Sequence, residues 1–109
     1  MNKELPIDIS GLQIFPQQEL EGKVGYIGKI EGVHEKGSGI NAARIRVAIT
    51  NCNSGRGLLD LTYYDFTEFL NRYKIKTQSD LVGKPVISVY TRGAGMILSG
   101  LIPLNLDRQ

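Results

Sequence analysis

The sequence predicts a mainly β protein: a five-stranded barrel with one helix between its third and fourth strands. Three observations predict it. Five strand-like runs divide three and two around a single segment of helical periodicity, in the order β-β-β-α-β-β. The second run alternates apolar and polar residues at period two, the mark of a half-buried strand. The first run is interrupted by four glycines, as suits a long strand that must bend. A chain of 109 residues forms one domain and can bury a core without metal or disulfide support.

Residues 1–21 read as an N-terminal arm. Ile7, Ile9, Leu12, Ile14 and Phe15 are apolar enough to pack, and residues 7–15 suit an extra edge strand that Pro16 would end. The barrel domain spans residues 22–104 and opens with a first strand over residues 22–36. Glu35-Lys36-Gly37-Ser38-Gly39 follows as a flexible loop. In the second strand, residues 42–51, Ile45, Val47 and Ile49 form one face, and Arg44, Arg46, Ala48 and Thr50 form the other. The third strand, residues 58–64, places Leu59, Leu61 and Tyr63 together and Tyr64 on the opposite side.

Asp65 then offers an N-cap, with Glu68 three residues on, in the manner of a capping box. Phe66, Phe69, Leu70 and Tyr73 fall at i, i+3, i+4 and i+7, so a helix over residues 66–73 has one apolar face with which to plug the barrel's end. Residues 79–83 suggest a single turn. The fourth strand covers residues 85–91, with Pro85 at its start. Residues 92–95 make a turn into the fifth strand, residues 96–103, and residues 105–109 form a tail.

Composition narrows the function classes. Hydrophobic residues make up 41% of the chain, but no apolar stretch approaches the roughly 20 residues needed to span a bilayer. The first residues lack a basic segment followed by an apolar one, so a cytoplasmic protein is expected. Cys52 is the only cysteine, which excludes an intrachain disulfide and fits a reducing compartment. The net charge of +2, from 13 Lys and Arg against 11 Asp and Glu, is too mild to attract nucleic acid through bulk field. Any such binding must rest on clustered charge.

Catalysis finds little support. His34 is the only histidine and reads as a surface residue; no Cys/His cluster has metal-ligand spacing, and the carboxylates are scattered. Gly37-Ser38-Gly39 lacks the Lys-Ser/Thr ending of a phosphate loop. We expect no enzyme, no cofactor and no metal.

Over residues 22–103 the chain resembles the OB-fold proteins in element order, in its glycine-interrupted first strand, and in its glycine-rich loops after strands one and four. The resemblance implies a binding module whose ligand lies on strands two and three, flanked by the loops at residues 35–39 and 92–95. It directs attention to single-stranded nucleic acid. Arg44, Arg46 and Lys29 would hold phosphates, with Arg92 and Arg56 extending the patch. Tyr64 and then Tyr26 would stack on bases. The bland alternative is that these arginines are solvated and neutralised across the sheet by Glu31 and Asp60. The segments at residues 69–75 and 80–86 also look like small proteins of phages and mobile elements. That leaves open a protein-interaction or accessory module docking through a sheet edge or the Tyr/Leu surface of strand three. Exposed barrel edges are compatible with a homodimer. A different half-open barrel built from the same strands is the alternative fold.

Overall fold

The computed structural model describes residues 7–36, 44–51, 55–92 and 96–104. Its elements are β1 (Lys23–Lys36), β2 (Arg44–Asn51), β3 (Gly55–Thr62), α1 (Tyr63–Tyr73), a 3₁₀ turn (Gln78–Leu81), β4 (Pro85–Arg92) and β5 (Met96–Pro103). The five antiparallel strands form a nearly closed barrel with one helix between β3 and β4, as the sequence predicts. This architecture is consistent with an OB-like fold. The loop residues 37–39, the string around Cys52, the turn at residues 93–95 and the tail lie outside the described residues, as do the side chains of Lys36, Arg44 and Arg56.

The strands lie in the order β3-β2-β1-β4-β5. The 14-residue β1 serves two neighbours. Its first half, from Lys23 to Lys29, pairs with β4; its second half, from Gly28 to Lys36, pairs with β2. A bulge between Ile30 and Gly32 follows the handover, where added twist turns the strand around the barrel. At the closing seam, Leu98 of β5 comes within 3.0 Å of where a Cβ on Gly57 of β3 would stand.

Period-two alternation sends Ile45, Val47 and Ile49 of β2 inward to meet Ile30, Leu61, Val86 and Leu101. Helix α1 closes one end of this core with Phe66, Phe69 and Tyr73, so the predicted stripe is indeed the plug. Phe69 packs edge-on against Phe15, with ring centroids 5.8 Å apart, and against Tyr73 at 5.4 Å. The Tyr73 hydroxyl donates to the Pro85 carbonyl at 2.6 Å and accepts from the Leu104 amide at 3.2 Å. Burial pushes its pKa up to about 12.

The helix begins three residues earlier than predicted. Thr62, not Asp65, is the N-cap, and its hydroxyl accepts from the Asp65 amide at 3.1 Å. Asp65 therefore lies inside the first turn, where its charge suits the positive end of the helix. The change moves Tyr63 and Tyr64 from the third strand onto the helix.

Residues 7–15 cross the outer face of β4, β5 and the start of β1. They touch the sheet through two isolated bridges, Ile7 to Gly25 and Phe15 to Leu101, rather than through a continuous ladder. Ile9 and Ile14 bury themselves on Ile87, Val89 and Ile102, a second small core outside the barrel. Two glycines make the approach close. A Cβ on Gly25 would stand 2.7 Å from Ile9 Cγ2, and one on Gly100 would stand 2.6 Å from Ile14 Cδ1. The arm and the helix plug thus leave the outer face of β2 and β3 as the open side of the barrel.

Candidate nucleic-acid interface

The register of β1, β2 and β3 organises that open face into rows. Lys29, Thr50 and Arg56 align at one end. Gly32, Ala48 and Leu58 align next, then His34, Arg46 and Asp60. Lys36, Arg44 and Thr62 complete the face, immediately before Tyr63 opens the helix. Alternate residues along a strand share a face, so Arg46, Ala48 and Thr50 lie opposite the buried Ile45, Val47 and Ile49. From Arg44 to Thr50 the face runs about 20 Å at roughly 3.3 Å per residue.

The best-defined polar contact on it is a fork. Arg46 Nε meets Asp60 Oδ1 at 2.8 Å, and Arg46 Nη2 meets Asp60 Oδ2 at 3.2 Å. The two side chains remain 32% and 30% exposed. The carboxylate holds the guanidinium's pKa above its ordinary value, first by hydrogen bonding and then by charge. The fork orients Arg46 on the sheet and commits two of its N–H groups, leaving the others for a ligand. It is also the neutralising cross-strand pair weighed in the sequence, so Arg46 presents an oriented group of reduced net charge.

The remaining sequence-predicted residues divide. Lys29 is exposed and pairs with Thr50, which brings it onto the same face. Arg92 is exposed at the end of β4, paired with Met96 in the hairpin that approaches Gly57. It therefore borders the Arg56 end of the face. Arg44 has its backbone between Lys36 and Thr62 at the opposite end. Tyr26 goes elsewhere: it shares the Gly28 and Ile30 side of β1 and packs edge-on against Tyr90, with ring centroids 6.1 Å apart. The structure does not bring Tyr26 to Arg46.

Tyr64 is exposed, but not through strand alternation. On the first turn of α1 both neighbours point out, Tyr63 at 61% and Tyr64 at 72% exposure. Three residues on or beside this face were not singled out as ligand groups from the sequence. Leu58 is 57% exposed in mid-face. The ring of His34 lies over Gly32, its Nε2 3.4 Å from where a Cβ on that glycine would stand. Tyr63 is the third. Leu58 and His34 share the parity of Asp60 and Arg46 across the ladders, a signal legible once the register is known.

Among the described residues, no group of three or more His, Cys, Asp or Glu is placed to hold a metal ion. No described helix is long and apolar enough to cross a membrane. No family model, curated protein or solved structure gives a significant match to this chain.

Proposed function

We propose that the chain is a non-enzymatic binding module that takes single-stranded nucleic acid along the outer face of β1, β2 and β3. One observation carries the reading. Strand register places the backbone positions of Lys29, Arg56, Arg46, Arg44 and Lys36 on three of the four rows of the face that the arm and the helix leave uncovered, with the Gly32, Ala48 and Leu58 row between. A chain of near-neutral total charge thereby acquires a local basic track, which is what phosphate binding requires. Arg46 supplies an oriented guanidinium, Lys29 an exposed point charge, and Arg92 a cation at the border.

Fluorescence anisotropy of labelled 15-mers of single-stranded DNA and RNA, across a salt series, tests the reading. Salt-dependent binding is expected. Arg44→Ala with Arg46→Ala should flatten the log K against log salt slope by about 1.4, since each lost phosphate contact on a single strand removes about 0.7. Asp60→Asn should tighten binding, because it removes an anion from the track and releases Arg46. Absence of binding at low salt, or an unchanged slope in the double variant, would refute the proposal.

A further inference from the structure

We infer that Tyr63 and Tyr64 form a base-stacking platform at the helix end of the strand face, so that the ligand is an unpaired strand running along β3 and onto the first turn of α1. The inference rests on the single-strand reading of that face and adds the residues that hold its bases.

The fold has no use for these two rings. Helix α1 meets its packing requirement with Phe66, Phe69 and Tyr73, all buried in the core. Tyr63 and Tyr64 lie one turn earlier, 61% and 72% exposed, and tyrosine is no better than average as a helix former. Two adjacent exposed aromatics therefore sit where neither core packing nor helix propensity calls for them. Successive helical positions diverge by about 100°, so the rings offer two separate stacking surfaces rather than one sandwich.

Their position is continuous with the basic track. Thr62, the N-cap, is in register with Arg44, and Asp60, two residues before it, holds Arg46. Leu58, 57% exposed, adds an apolar floor on the same strand for a further base. The charges on the two sides differ. The strand side carries Lys29 and the Arg46–Asp60 pair; the helix side carries Asp65 and Glu68, with Glu68 one turn beyond Tyr64. Carboxylates beside the rings repel phosphates, whereas the strand side, with Lys29 and the partly exposed Arg46 guanidinium, is the less acidic of the two. A single strand satisfies both when its backbone follows the β2 side and its bases turn toward the tyrosines. A duplex, with its bases stacked inside, cannot use the rings. From Leu58 to Thr62 is about 13 Å of strand, and two helical residues add about 3 Å. At roughly 3.4 Å per stacked nucleotide the stretch from Leu58 to Tyr64 takes about four or five nucleotides.

The test uses the full chain with labelled single-stranded 3-mers, 6-mers and 15-mers and a 15-base-pair duplex, at low and moderate salt. Tyr63→Gln and Tyr64→Gln, both helix-compatible, should each weaken 6-mer binding about five-fold or more with the salt slope unchanged. Tyr63→Phe and Tyr64→Phe should bind like the parent, because the π face is kept. The 3-mer and the duplex should bind at least ten-fold more weakly than the 6-mer. Thermal melts confirm that every variant is folded. Gln variants that bind as the parent does, while Arg44→Ala with Arg46→Ala flattens the salt slope, would overturn the platform and leave the strand-face reading standing. A parent chain that binds no single strand at low salt would overturn both. Equal binding of duplex and single strand would overturn the unpaired-strand assignment.

Discussion

Replacing Tyr73 by Phe removes one oxygen atom and should change both the stability of the barrel and its response to alkali. The hydroxyl links three elements: it sits on α1, donates to Pro85 at the start of β4 and accepts from the Leu104 amide just beyond β5. In the Phe variant that carbonyl and that amide lose a partner in a largely buried place. At neutral pH the expected loss is about 1–3 kcal/mol. Alkali should then act more strongly on the parent than on the variant. The Tyr73 hydroxyl titrates at 10.0 when unperturbed and at about 12 in the fold, where burial disfavours the phenolate. Between those values the folded chain keeps a proton that the unfolded chain has lost. Stability is therefore fully present below pH 10 and falls as pH rises through 12. At about 1.4 kcal/mol for each pH unit the loss amounts to roughly 2–3 kcal/mol. Urea unfolding of both proteins at pH 7, 9.5, 11 and 12 measures the effect, and other tyrosines and lysines cancel in the difference. The parent's advantage should shrink to near zero by pH 12. Parallel stability curves, or equal stability at pH 7, would refute the assignment of Tyr73 as a buried hydrogen-bonded tie.

Gly100→Ala places a methyl group 2.6 Å from Ile14 Cδ1 and 3.2 Å from the Phe15 carbonyl, so it should destabilise by about 1–3 kcal/mol despite the better strand propensity of Ala. Combining it with Ile14→Ala should recover part of that loss; strict additivity in a double-mutant cycle, read by thermal melts, would show that the arm does not seat on this glycine. Thr62→Ala removes the helix cap and should cost about 1 kcal/mol. An unchanged midpoint in urea would place the helix start elsewhere.

The parts of the fold legible in the sequence are those encoded by local periodicity. Ile45, Val47 and Ile49 alternate with polar neighbours, and Phe66, Phe69 and Tyr73 recur at helical spacing. Each pattern specifies which side is buried before any partner is known. The order of elements around the one helix then suffices for the barrel class. Where a local signal is ambiguous, the structure departs from the sequence-based expectation. Thr62 and Asp65 are both good caps, and Tyr63 and Tyr64 favour strands by propensity, so the helix start could be set only by where β3 ends against β2.

The number, type and order of the elements, the buried face of β2 and the role of the α1 stripe are thus properties of the local sequence. Which residues become neighbours follows from how the strands assemble. Pairing of β2 with β3 makes Asp60 the partner of Arg46, and the handover of β1 from β4 to β2 brings Lys29 to the open face while Tyr26 packs on Tyr90. The seating of Ile9 and Ile14 over Gly25 and Gly100 covers one outer face and leaves the other bare. Periodicity acts between residues a few positions apart and can be read from the chain. Register and cover join residues far apart in sequence, such as Ile14 and Gly100, and arise only when the strands close around a shared core.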